Sequence, residues 1–247
     1  MIKSILITGG GSGIGAALAL ALADRGCQVL VSGRRPGSLD KIAGLSSRIE
    51  ACQADVTQKN DQTKLVQALS KLPAPRAIFH GAGYFQLGHL DSLSLDDWHA
   101  SFETNVTARW ALSTKCLPYL DGGRILFIGS DSGVNVRAGA AAYSIAQSAC
   151  ETLRHALQAE WANRNIAVAA FKPGLVNTDL VQNLLLKSET EFPARKAFQD
   201  YIERGEFSTP ETVASFAAWL LCDVNTERFS GTEWDIRDAS HHLEWLD

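Results

Sequence analysis

Several features that would point to particular functions are missing from this 247-residue sequence. It has no basic run, and its net charge of −4 at pH 7 leaves no positive excess for a polyanion, so no nucleic-acid partner is expected. No stretch reaches the length of a membrane span, so no membrane partner is expected either. Lys3 and the later "ALALALAD" imitate a secretory leader, but "TGGGSG" interrupts the apolar run that a leader needs. A cytoplasmic location follows as the expectation. The five cysteines (Cys27, Cys52, Cys116, Cys150, Cys222) are scattered and form no C-x-x-C pair. Metal or redox roles therefore have little sequence support, and reduced thiols in a core are expected. No internal repeat or low-complexity tract divides the chain.

What is present suits one α/β domain spanning residues 1–247, with 46% hydrophobic residues to build its core. "SILIT" (4–8) reads as a first strand that stops at glycines, and "GIGAALALALADRG" as a buried helix ended by Gly26. "QVLVSG" (28–33) and "IEACQAD" (49–55) are the next strands, followed by a helix over 61–71 that Pro73 and Pro75 end. "AIFHGAG" (77–83), a helix over 95–118, "GRILFIGS" (123–130), a helix over 141–162 and "IAVAAFKPG" (166–174) continue the alternation. A helix over 210–222 opens with Thr209 and Pro210, and "TEWDIRD" reads as a last strand. Strands alternating with helices predict a doubly wound parallel sheet with helices on both faces. The segment 179–208 fits this scheme poorly. It starts "DLVQNLLL" and turns highly charged, which suits a mobile amphipathic lid or an oligomer contact.

In such sheets ligands sit beyond the carboxyl ends of the strands. After the first strand, "TGGGSGIG" puts Thr8, Gly9, Gly11, Ser12, Gly13, Ile14 and Gly15 in a tight strand-to-helix turn. Backbone without Cβ atoms can approach a pyrophosphate there, and the helix N-terminus favours its charge. The second strand ends in Gly33, Arg34 and Arg35, with no carboxylate to hold an NAD ribose. Two guanidinium groups pair with a 2′-phosphate instead, which favours NADP(H), with NAD(H) the alternative cofactor. Solvated surface arginines are the competing explanation. Asp55 after the third strand fits an adenine amino group or a plain loop. "GAG" (81–83) marks close backbone approach or a simple turn. Ser130 follows the fifth strand, Tyr143 opens a helix thirteen residues later, and "KPG" closes the sixth strand.

Together these motifs resemble the short-chain dehydrogenase/reductase family in its compact form, over essentially the whole chain. Thr8-Gly9-x-x-x-Gly13-x-Gly15 is similar to the family's cofactor signature, Asp55-Val56 to its adenine contact, and Gly81-Ala82-Gly83 to its motif after strand four. Asn105, Ser130 and Tyr143 match the family's active residues, and Pro173-Gly174-x-Val176-x-Thr178 its segment over the nicotinamide. The resemblance implies a Rossmann-like fold and hydride transfer between nicotinamide and a carbinol or carbonyl carbon. It implies that Tyr143 exchanges the proton, that Ser130 orients the substrate oxygen, and that Asn105 positions a water. A homodimer or homotetramer paired through the helices at 95–118 and 141–162 is implied as well.

Two positions depart from the family. His80-Gly81 stands where an asparagine pair is usual, and His80 is expected to be a structural variation. Gln147 stands where the family's lysine grips the nicotinamide ribose and lowers the tyrosine pKa. Tyr143 and Gln147 are one helical turn apart, so both face one cleft. Glutamine can keep the ribose grip but supplies no charge, so the phenol is expected to stay near its reference value of about 10. Reduction needs a protonated phenol and suffers less than oxidation, so a slow NADPH-dependent carbonyl reductase is expected. The alternatives are a nucleotide binder that has lost catalysis, or a replacement cation such as Lys172 or Arg154. The substrate pocket is expected to involve Tyr84, Phe85, Leu87, Val134 to Arg137 and the 180–207 segment, with Arg137 steering a carboxylate or simply solvated. Trp245 docks on a neighbour or on its own core.

Overall fold

The computed structural model describes residues 1–246. Its strands are β1 (Ser4–Thr8), β2 (Gln28–Gly33), β3 (Ile49–Gln53), β4 (Arg76–His80), β5 (Arg124–Ile128), β6 (Ala167–Lys172) and β7 (Trp234–Asp235). They form one parallel sheet in the order β3-β2-β1-β4-β5-β6-β7. This is the doubly wound, Rossmann-like α/β arrangement expected from the alternation of elements. Every residue of β1 is buried, because a central parallel strand is covered on both faces and tolerates only a continuous apolar run.

Helices α1 (Gly13–Asp24) and α9 (Pro210–Cys222) cover one face. Both are rich in alanine and leucine, so their backbones approach closely, and Phe171, Phe216, Trp219 and Trp234 fill the space beside them. Helices α3 (Lys59–Ser70), α5 (Ala108–Cys116) and α6 (Ala141–Trp161) cover the other through Leu65, Leu112, Cys116, Leu157 and Trp161. Four cysteines are buried and Cys222 is partly so, all with free thiols.

The structure departs from the sequence-based expectations in three places and adds detail to segment 179–208. Residues 36–43 form α2 (Pro36–Ala43), whose single buried residue, Leu39, leaves almost no periodic signal. The helix expected over 95–118 is α4 (Leu95–Phe102), a π-helical turn (Glu103–Thr107) and α5, so the chain shifts phase at Asn105. Segment 179–208 carries α7 (Asp179–Leu185) and α8 (Arg195–Glu203), joined by a loop whose Phe192 is fully buried against Phe198. The last strand shrinks to Trp234 and Asp235, after a short α10 (Thr226–Gly231). Trp245 docks on its own core, with its ring 5.0 Å from that of Phe216.

The strand order reverses between β1 and β4, so the connections from these two strands leave in opposite directions and open a crevice at their carboxyl ends. A cleft of about 1520 Å³ lies there.

Candidate active site

The cleft begins at the turn between β1 and α1. Gly9 has φ +71°, and a Cβ on it would lie 2.8 Å from the Gly81–Ala82 backbone. A Cβ on Gly15 would lie 2.3 Å from the Gly9 carbonyl oxygen. Only glycine therefore lets this turn fold flat against the β4 loop. Ser12 caps α1 without using its hydroxyl on the helix, so the first-turn amides face the cleft. Gly9, Gly11, Ser12, Gly13, Ile14 and Gly15 all line it. Thr8 does not. It is 1% exposed and spans strands, donating to the Phe79 carbonyl at 3.3 Å and accepting from the Ala82 amide at 3.2 Å. Its position inside the sheet makes it a brace for the turn.

Arg34 and Arg35 are exposed at the end of β2, and Arg35 Nη2 donates to Ser12 Oγ at 3.2 Å. Two cations and a hydroxyl thus meet at one rim of the cleft. Asp55 accepts from the Thr57 amide and hydroxyl through one oxygen, at 3.0 and 2.8 Å, and it lines the cleft with Val56. Ala82 and Gly83 form the floor, and Pro173, Gly174, Val176 and Thr178 the opposite wall. The Thr178 methyl lies 3.4 Å from where a Gly13 Cβ would be, so this wall reaches the glycine turn. These residues fit a dinucleotide: a Cβ-free cradle at a helix N-terminus, flanked by cations. The cleft volume exceeds that of a typical small-molecule pocket, leaving room for a second ligand.

Ser130 and Tyr143 stand at the far end. Ser130 Oγ accepts from the Ser132 amide at 3.1 Å, capping a 3₁₀ turn (Asp131–Gly133) and leaving its proton to donate. Desolvation pushes the half-buried Tyr143 phenol above the ordinary tyrosine range, opposed by the nearby Ser130 hydroxyl and by the Arg109 and Arg137 guanidinium groups. The phenol was expected to stay near its reference value. Desolvation raises it further, because the Phe85 ring packs 4.6 Å from that of Tyr143. Gln147, 5% exposed, lines the cleft one turn below, and among the described residues no partner hydrogen-bonds its amide.

Asn105 lies outside the cleft lining. It is fully buried in the π-helical turn, accepting from the Tyr84 amide at 3.1 Å and donating to the Tyr84 carbonyl at 2.8 Å. Both ends of its amide hold the loop after β4. His80 is 1% exposed, bonds Ser113 Oγ at 2.8 Å and stacks on Phe127. Burial and the Arg109 charge hold its pKa well below the ordinary histidine value, so it ties β4 to α5 as a neutral ring.

Neither expected replacement cation reaches the site. Arg154 is bound by Glu151 and Glu233, and Lys172 pairs in register with Asp235. The sequence reading missed Arg109, a buried arginine that lines the cleft. Its signal was a cation within the apolar stripe Ala108, Leu112, Cys116 of α5. In the substrate end, Tyr84, Phe85, Arg137, Leu180, Val181, Leu184, Phe198 and Tyr201 line the cleft. Leu87, Val134, Asn135 and Val136 do not. Val134 and Val136 are 77% and 64% exposed because the loop after β5 turns outward. Arg137 donates to Ser132 Oγ at 2.9 Å and lies over the Phe198 ring.

Fold and cleft define a dinucleotide-binding protein of the oxidoreductase kind. The sequence pattern of the short chain dehydrogenase family matches residues 3–189, and the chain belongs to that family. It is 30% identical to an uncharacterized oxidoreductase of Listeria innocua, over 92% of this chain and 95% of the relative. It is also 30% identical to versicolorin reductase of Emericella nidulans, over 88% and 81% of the two chains. A crystal structure of a putative NAD(P)-dependent gluconate 5-dehydrogenase from Beutenbergia cavernae, with bound NADP, superposes with a TM-score of 0.79. It shares 28% identity and covers 95% of this chain and 94% of its own. The protein is an NAD(P)-dependent oxidoreductase acting on a small molecule.

Proposed function

We propose that the protein reduces a small to medium, moderately apolar carbonyl compound with NADPH, and that Tyr143 donates the proton. The observation that carries this reading is that the half-buried Tyr143 phenol and Ser130 line the same cleft as the glycine turn. Bound nicotinamide supplies the hydride. Ser130 donates to the carbonyl oxygen and fixes its direction. Tyr143 then passes its proton to that oxygen as negative charge develops on it. Because burial raises its pKa, the phenol stays protonated through neutral pH, which favours reduction over oxidation. The free amide of Gln147 is set to hydrogen-bond ribose hydroxyls without adding charge. Arg34, Arg35 and Ser12 receive the 2′-phosphate. Asn105 acts indirectly, holding the Tyr84–Phe85 loop that walls off the phenol.

The name of the versicolorin reductase relative and the NADP bound by the structural neighbour support this direction and this cofactor. The mostly aliphatic and aromatic lining near Phe198 and Leu184 supports an apolar substrate. We place the protein in the cytoplasm, where its free thiols stay reduced, as a homodimer or homotetramer. Half-exposed Trp110 on α5 and Ile145 on α6 support pairing through those helices.

The test is NADPH oxidation against a panel of ketones, aldehydes and diketones, with Tyr143→Phe as control. Turnover should fall by about 10²-fold or more in the variant. The wild-type rate should stay level through neutral pH and decline only on the alkaline side, while the reverse oxidation climbs with pH. NADPH binding without turnover of any carbonyl compound would overturn the proposal in favour of a non-catalytic binder.

A further inference from the structure

Among the described residues, the buried cation Arg109 has no counter-ion. It is 3% exposed, and Nη1 donates to the Ile128 carbonyl at 3.1 Å and to Cys150 Sγ at 3.1 Å. Nη2 donates to the Ala82 carbonyl at 3.3 Å, and Nε has no partner among the described residues. An arginine stays charged at any working pH, so this charge is buried against neutral acceptors only. Such an arrangement is costly unless something nearby uses the charge.

Its three anchors define what is nearby. Ile128 ends β5 two residues before Ser130, Ala82 lies on the cleft floor, and Cys150 lies two turns along α6 from Tyr143. Gln147 lies between Tyr143 and Cys150 on that stripe of α6. We propose that Arg109 is a positioning residue that supplies from α5 the positive charge that α6 lacks at Gln147, and so makes the Tyr143 phenolate attainable. The proposal rests on the reading of Tyr143 as the proton-transferring group.

Of the other groups named around this pocket, Arg137 alone adds positive charge at Tyr143, and it ranks after Arg109. His80 beside Arg109 is neutral. Cys150 is Arg109's own acceptor and Ser130 is uncharged. Asp131, next to Ser130, is matched by Arg237 at 2.8 Å. Arg137 is less buried than Arg109, and its guanidinium bonds Ser132 and lies over Phe198. Burial opposes Tyr143 ionisation, and Arg109 works against burial.

The experiment titrates the Tyr143 phenol by tyrosinate absorbance in the cofactor-free protein, subtracting the same titration of Tyr143→Phe. Arg109→Gln keeps amide donors for the Ile128 and Ala82 carbonyls but loses the charge. It should raise the midpoint by about one to two pH units, the effect of a cation a side chain away at an effective dielectric of ~20. Arg109→Lys should recover most of that shift, and Gln147→Lys added to Arg109→Gln should bring the midpoint back toward wild type. A midpoint unchanged in folded Arg109→Gln overturns the inference. Gln147→Lys alone gives an independent reading, since it disturbs none of the bonds that hold Arg109. Two cations in one buried pocket should lower the melting temperature by about 4 °C or more. An unchanged or raised melting temperature counts against the inference. If Tyr143→Phe retains full turnover, the functional reading fails, while the titration still reports whether Arg109 acts on the phenol.

Discussion

The rim formed by Arg34, Arg35 and Ser12 makes a quantitative claim about cofactor choice. NADPH differs from NADH by one phosphate, and both arginines are exposed, so each charge-assisted contact belongs at the low end of its range, about 1.5 kcal/mol. Arg35→Ala should therefore weaken NADPH binding about tenfold and leave NADH binding unchanged. Arg34→Ala should do the same. If the two act independently, the double variant should lose about 100-fold. Ser12→Ala removes the 3.2 Å bond that aims Arg35 and should cost a further few-fold, roughly 0.5–1 kcal/mol. Fluorescence titration with each dinucleotide measures all of these. Repeating it at roughly 0.5 M salt should shrink the NADPH advantage, because exposed charges are screened. Equal wild-type affinity for both cofactors, or a variant that weakens both by the same factor, would refute the assignment of the rim to the 2′-phosphate.

Three further predictions concern the frame of the site. Ser113→Ala leaves a buried nitrogen of His80 without its 2.8 Å partner and should cost about 1–3 kcal/mol, a drop of roughly 2–10 °C in melting temperature. The folded-state pKa of His80 is depressed, so its contribution is full above the ordinary value of 6.5 and is lost as pH falls below it. Wild-type stability in denaturant titrations should accordingly decline on acidification, and His80→Asn should decline less; parallel curves would sink this assignment. Gly9→Ala forces a Cβ to within 2.8 Å of the β4 loop at φ +71°, and it should cost about 1–3 kcal/mol while abolishing NADPH binding. Normal binding by a folded Gly9→Ala protein would show that the turn is not the cradle.

Much of the frame was legible in the residues. β1, β2 and α9 run where the apolar runs and the Thr209-Pro210 cap predicted, because a central parallel strand or a buried helix leaves a dense local pattern. α2 was not legible because it buries one residue, and the π-helical turn was not because its phase shift depends on Asn105 bonding a loop 21 residues away. The chemical groups at the strand ends were legible, and their roles less so. Thr8 and Asn105 stand in the expected motifs, yet their polar atoms are committed to neighbouring backbone. Arg109 carries a local signal in the apolar stripe of α5, but its partners Ala82, Ile128 and Cys150 lie on elements far along the chain.

By itself the sequence determined the order of strands and helices, the glycine turn at the first of them, and a neutral residue at position 147. These follow from local spacing, which is written along the chain. Only the tertiary structure brings the Arg109 guanidinium against the helix that carries Tyr143. Arg109 and Cys150 are 41 residues apart, and their contact exists because α5 and α6 pack on the same face of the sheet. A charge acts through space, so its neighbours are set by packing rather than by position in the chain.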